Sequence, residues 1–211
     1  MTEAEHESRA KLLDAAVSVI RAKGYSAARV DDICAAAGLT KGSFFHHFAS
    51  KEELALAAAE RWGAKTGDLF AAAAYHQLPD PLDRVLAYVD FRKSLLTGDF
   101  AEFTCFAGTI VQEAYDTHPE INAACARNIA GHAKSLEADI RAAMRAHAVT
   151  GDWSAESLAL HMQGVIQGAF ILAKVKGRAA AAVQSLDHLR RYLELLFPAP
   201  NSKRNRSEDQ K

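Results

Sequence analysis

The apolar positions of this chain fall in helical rather than alternating order. Leu12, Leu13, Ala16, Val17 and Ile20 recur at i, i+1, i+4, i+5 and i+8, which draws one stripe along a helix from about Ser8 to Lys23 that Gly24 stops. A short helix over Val30 to Ala37 turns Ile33 and Cys34 inward and ends at Gly38. A third starts near Thr40, whose hydroxyl can cap it, and runs to about His46. Ser50-Lys51-Glu52-Glu53 has the spacing of a capping box, so a fourth helix is predicted from Lys51 to about Ala74.

Further on, Asp80-Pro81 places a cap before a proline at the first helical position, opening a helix through Leu96. The spacing then predicts helices over 102–116 and 117–147, one capped by Ser154 and running to Lys176, and a last one from Ala179 to Phe197. In the last helix, Leu186, Leu189, Leu193 and Leu196 form the seam expected of two packed helices. After Pro198 and Pro200 the polar tail 198–211 is expected to be disordered.

Composition sharpens this reading. Of 211 residues 43 are alanine and five proline, and β-branched residues never gather in alternating runs, so the fold class is all-α with about nine helices. A net charge of -1 gives no bulk attraction to nucleic acid, so any such contact must come from a local patch. The longest stretch without formal charge, 157–173, contains His161, Gln163, Gln167 and two glycines, too polar for an expected membrane span. Acidic Glu3, Glu5 and Glu7 stand where a signal peptide needs positive charge. Three cysteines without a C-x-x-C pair fit reduced thiols, and a cytoplasmic location is expected.

Two short helices joined through Ala36-Ala37-Gly38-Leu39 have the spacing of a helix-turn-helix. The stretch from Ala28 to Leu54, ARVDDICAAAGLTKGSFFHHFASKEEL, preceded by Gly24-Tyr25, resembles the DNA-binding head of the TetR family of transcriptional regulators, in register over about 50 residues. The resemblance implies a three-helix head (1–50), a ligand-binding and dimerising helical body (51–197), and repression of a palindromic double-stranded operator lifted by a small effector. It also implies DNA contacts from Arg29, Thr40, Lys41, Gly42, Ser43, Phe45, His46, His47 and Lys51. Gly42 would let the backbone approach the duplex, and Lys51 would join its charge to a helix N-terminus facing phosphate. Two departures bear on affinity rather than fold: Ala28 lacks the hydroxyl frequent there in the family, and Phe45 stands in place of a common tyrosine.

For the body the resemblance carries only helix number and order. Trp62, Phe91, Phe103, Phe106, His132, His161 and Gln163 mix apolar and polar groups on helices that would surround the middle of a bundle, the composition of a small-molecule pocket. Most such residues simply fill the core, and for any one of them core is the more frequent outcome. Gly164 and Gly168 permit close helix approach, internal or between subunits. With the leucine seam they favour a two-fold four-helix interface built from 154–197.

No metal or cofactor is expected. Adjacent His46 and His47 point about 100° apart on a helix and cannot easily share an ion. Cys105 and Cys125 lie on different helices, where they are buried hydrophobes or a redox pair. No catalytic residues are identified, for there is no nucleophile with an orienting base, no H-E-x-x-H and no phosphate-cradling loop. Two other readings, a helical enzyme and a dimeric sensor or adaptor that has lost DNA binding, would be separated from a regulator by substrate turnover and by DNA selection.

Overall fold

The computed structural model describes residues 3–197, and every described element is helical. The polar tail 198–211 lies outside the described residues. Three helices make the head: α1 (Glu3–Lys23), α2 (Val30–Ala37) and α3 (Lys41–His47). The body follows as α4 (Lys51–Ala71), a 3-10 turn (Ala74–Gln77), α5 (Pro81–Ser94), α6 (Phe100–Phe103), α7 (Phe106–Ala114), α8 (Pro119–Ala146), α9 (Ala155–Lys176) and α10 (Ala180–Leu196).

The caps are those the sequence signals. Thr40 Oγ1 accepts from Ser43 N at 3.2 Å, Ser50 Oγ from Glu53 N at 3.2 Å, Asp80 Oδ1 from Leu82 N at 2.7 Å, and Ser154 Oγ from Ser157 N at 3.0 Å. The predicted helix over 102–116 differs. It is broken at Thr104-Cys105, because the Thr104 hydroxyl donates back to Phe100 O (2.6 Å) and closes the short α6. Cys105 Sγ then accepts from Gly108 N (3.3 Å) and caps α7 afresh. α4 likewise stops at Ala71, three residues earlier than its pattern suggests.

Two buried clusters organise the chain. One joins α5, α8, α9 and α10 around Tyr88, Ile140, Met162 and Ile166. The other continues from the head into the body: Leu12, Ile20, Ile33, Phe44 and Phe48 pack with Leu54 and Ala58 of α4 and then with Phe106, Ile110 and Cys125. Head and body therefore share one hydrophobic interior.

The leucine seam of α10 faces inward. Leu186, Leu189 and Leu193 are buried in the chain's own core, so the seam packs α10 on the body's other helices and cannot serve a partner subunit. Instead, the outward face of these helices carries Leu160, Ile171, Leu172, Val175, Tyr192 and Leu195, all large and exposed. Gly164 and Gly168 lie on the same α9 face, where an added Cβ would meet nothing within 4 Å, so an internal close approach is not what they provide. By length and composition α9 is apolar enough to cross a membrane, contrary to the reading of 157–173. Its best window has a mean hydropathy of 1.3, with 44% of the window buried inside the chain. The two apolar faces, one in the core and one outward, account for that composition.

Candidate functional site

The first candidate surface is the end of α3. Phe44 and Phe48 are fully or nearly buried in the cluster that α3 shares with α1, α2 and the start of α4, which leaves its N-terminal turn outside. Gly38, at φ 65°, makes the left-handed turn that swings α3 away from α2. Thr40, Lys41 and Gly42 are exposed and Ser43 half-buried. A Cβ on Gly42 would find only Thr40 Oγ1 at 3.6 Å, so nothing inside the protein requires glycine there. Lys41 Nζ lies 2.8 Å from Asp31 Oδ1, with both side chains more than half exposed. Such an exposed pair contributes little and yields readily to a stronger anion. Phe45 is 59% exposed, a large apolar ring left in solvent beside that turn.

The other residues of the expected DNA surface are differently placed. Arg29 stands at the N-cap of α2, its side chain outward and its N–H donated to Asp32 Oδ2 at 3.1 Å. His46 Nε2 meets Glu5 Oε1 at 3.2 Å and His47 Nε2 meets Ser8 Oγ at 2.6 Å, so both rings are tied to α1. Burial, then the neighbouring His46, holds the His47 pKa below its usual value. Lys51 does not point outward. Its Nζ donates to Tyr25 O (3.1 Å) and Ala28 O (3.3 Å) and sits 4.4 Å from the Tyr25 ring centroid, which makes it a strut between α4 and the α1–α2 turn. Ala28 is buried, so that position serves packing. Among the described residues no group of three or more His, Cys, Asp or Glu side chains is placed to hold a metal.

The head is latched to the body through that same turn. Gly24 adopts φ 88°, and Glu113 of α7 accepts from Tyr25 N (3.2 Å) and Ser26 N (2.8 Å). The carboxylate fits because Gly24 has no side chain, and a Cβ there would overlap it.

The second candidate is a cavity of about 480 Å³ in the body beside the end of α1. Of the seven residues expected to line a pocket, Trp62, Phe103, His132 and Gln163 do. Three do not. Phe106 is fully buried against Trp62 in the head–body core, and Phe91 packs on Phe70 and Tyr75 outside the cavity lining. His161 is exposed and packs edge-on to Tyr192, 5.3 Å between ring centroids. The lining that sequence reasoning missed includes Arg21, Phe70, Arg92, Gln167 and Phe170. A signal for the arginines existed: Arg21 stands four residues after Val17 and Arg92 four after Tyr88, so both continue an apolar stripe.

A buried polar chain crosses the cavity wall. Gln163 Nε2 donates to Tyr88 Oη (3.1 Å), and Tyr88 Oη lies 2.9 Å from His132 Nε2. A phenol that donates to His132 Nε2 while accepting from Gln163 pairs with an imidazole whose proton sits on Nδ1. Burial, with a smaller push from Arg92, lowers the His132 pKa to about 4, so the ring is neutral at pH 7. The unfolded chain takes up this proton near pH 6.5 and the folded one only near 4, so the group withdraws stability as pH falls through that window. Between pH 7 and pH 5 the loss should be about 2 kcal/mol larger in wild type than in His132→Gln, measured by denaturant unfolding. Parallel pH profiles would contradict a buried neutral imidazole. A second cavity of about 360 Å³ shares the wall made by Thr66, Phe70, Asn128 and His132.

Comparison with known proteins gives consistent matches. Residues 12–58 match the family model for bacterial regulatory proteins of the tetR family, and residues 81–189 match a tetracyclin repressor-like C-terminal domain. The chain is 46% identical over 61 residues to the HTH-type transcriptional regulator CymR of Pseudomonas putida, covering 28% of this chain and 30% of the relative. It is 29% identical over 102 residues to the transcriptional regulator AcuR of Cereibacter sphaeroides, 48% and 47% of the two chains. The matched stretches thus span less than half of these relatives. Among solved structures, a TetR transcriptional regulator from Chloroflexus aurantiacus superposes with a TM-score of 0.78 at 25% identity, over 91% of this chain and 96% of the other. The TetR family regulator CifR, solved with double-stranded operator DNA, shares the fold with a TM-score of 0.72 at 16% identity, over 86% and 94%.

Proposed function

The chain belongs to the TetR family of bacterial regulatory proteins, and from that premise we propose that it is a homodimeric transcriptional repressor which leaves a palindromic operator when a small effector enters the body. The observation that carries this reading is the exposed first turn of α3, where Thr40, Lys41, Gly42 and Ser43 project from a helix whose other side is locked into the core. Such a turn enters the major groove with polar groups toward base edges and phosphates. Lys41 exchanges Asp31 for phosphate, while Arg29 and Phe45 flank the turn. Lys51, His46 and His47 act indirectly by holding the head in shape.

One short helix reads too few base pairs to be specific. Two, held about 34 to 36 Å apart by a two-fold dimer, fit successive major grooves on one face of the duplex. The outward apolar face of α9 and α10, with Gly164 and Gly168 letting backbones approach, is the surface that supports pairing. Effector binding biases head position through α4 and through the Glu113 latch on α7. The extent of release is set by the effector's differential affinity for the two head arrangements. The protein acts in the cytoplasm, with access to the genome.

The test starts with an operator selected from random duplexes by the purified protein. Gly42→Leu should leave thermal stability and dimerisation unchanged yet abolish binding, because the new side chain has open space in the protein but none against a duplex. Lys41→Ala should weaken binding and flatten its dependence on log salt by about one unit. Full binding by Gly42→Leu, or no duplex enriched from the pool, rejects the reading.

A further inference from the structure

The cavity beside α1 has a charge pattern that an apolar core would not choose. Arg21 is only 7% exposed, and its Nε is buried with no hydrogen-bond partner. The guanidinium stacks over Trp62 at 4.7 Å from the ring centroid. Arg92, also in the lining, lies over Phe70 (5.1 Å) and Phe170 (5.7 Å). Among the described residues no carboxylate comes within ion-pair distance of either arginine. The lining contains one acid, Glu102, and that carboxylate already accepts from Asp99 N at 2.9 Å. With His132 neutral, two guanidiniums face one carboxylate, which leaves the cavity one positive charge in excess.

Holding a guanidinium out of water without a counter-ion is costly. Desolvation by burial lowers the Arg21 pKa to about 10, only partly offset by the negative charge of Glu102, so the group remains charged at pH 7 and short of a directly bonded counter-ion. Four rings of the lining, Trp62, Phe70, Phe103 and Phe170, offer flat apolar surface beside the two cations, interleaved with neutral polar groups such as Asn128, Gln163 and Gln167.

We propose that the effector is an organic monoanion, a carboxylate carried on an aromatic or similarly flat apolar body, with the carboxylate taken by Arg21 and the body lying among these rings. The inference rests on the effector-responsive reading above and specifies the chemistry of its ligand. A carboxylate supplies the fork geometry that a guanidinium accepts and fills the buried donor. Arg92 contributes the second positive charge, and its stacking on Phe70 and Phe170 shapes the aromatic wall.

The position of Arg21 gives the ligand a direct hold on the head. The residue belongs to α1, the helix that carries the DNA-binding cluster, whereas the other lining residues belong to the body. Its backbone carbonyl accepts from Lys174 of α9 at 3.2 Å, and Gly24, three residues on, lies at the Glu113 latch. A carboxylate bound to Arg21 therefore pulls on the end of α1 that sets the head's attachment.

The experiment uses the full-length wild-type protein with matched pairs: 2-naphthoate against 2-naphthamide and 4-phenylbutanoate against 4-phenylbutanamide, by isothermal titration calorimetry. The carboxylates should bind at least about tenfold more tightly than their amides, the fold-change of one charge-assisted hydrogen-bonded pair. Arg21→Gln should abolish that preference, and Arg92→Gln, which leaves α1 untouched, should reduce it. Equal or tighter binding of the amides, or no saturable binding of either carboxylate by millimolar concentration, overturns the proposal. Fluorescence anisotropy on the selected operator separates this failure from the broader one. Operator binding released equally by amides and acids fails only the carboxylate assignment, whereas a protein that takes no duplex at any salt fails the regulatory reading itself.

Discussion

Replacing Leu172 and Leu195 together with glutamate should convert the protein to a monomer on gel filtration and sharply weaken operator binding. The two side chains are 47% and 79% exposed in the single chain, so the fold loses little when they change. In a two-fold pair each position counts twice, and fully burying a leucine contributes about 1.5–3 kcal/mol, so with the exposed shares of these two side chains the interface loses about 4 kcal/mol or more before the cost of burying four carboxylates. DNA affinity should fall by about a hundredfold or more, since the second head no longer binds at high effective concentration. A double variant that stays dimeric, with an unchanged thermal midpoint, would place the interface elsewhere.

The second large effect is expected at Gly24. Alanine there must hold φ 88°, which costs about 1–2 kcal/mol, and its methyl group displaces Glu113, leaving the Tyr25 and Ser26 amides without their acceptor at about 1 kcal/mol or more together. The total, about 3 kcal/mol, should lower Tm by about 10 °C in a chain of this size. The two contributions are separable. In a Glu113→Ala background the same Gly24→Ala change should cost only its backbone share, so a double-mutant cycle should return a clear coupling. Additive effects would mean that the carboxylate does not hold the turn.

Much of this architecture is written in local sequence because its signals are local. A hydroxyl or carboxylate at Thr40, Ser50, Asp80 and Ser154 reaches an amide two or three residues away, and no distant contact is needed to recognise it. The break at Thr104-Cys105 was legible in principle, since both residues can bond to nearby backbone, but it is invisible to a count of helix-favouring residues. The seam of α10 shows a different limit. Spacing establishes that Leu186, Leu189 and Leu193 share a face, but not whether that face meets the same chain or another copy.

The cavity was the least legible part. Phe106 and His161 have the right composition for a pocket, yet whether a side chain looks into a void depends on how far α7 and α9 are rotated about their axes. Packing across the whole bundle decides that rotation. Arg21 lies in α1, a helix of the head, and only the three-dimensional arrangement brings it into the body. Lys51 shows the opposite case. Its place at a helix start suggests a role toward phosphate, while in the chain without DNA two carbonyls and a tyrosine ring near at hand hold the ammonium.

The uninterrupted cluster from Leu12 through Phe44 and Leu54 to Phe106 and Cys125 limits how such a protein can move. A head that owned its core could swing on a flexible tether. This one would tear open a shared interior if it detached, so a head that moves must tilt as a whole against the body rather than swing free. Such a tilt, slight where the head joins the body, grows with distance from that junction toward the turn that carries Lys41 and Gly42.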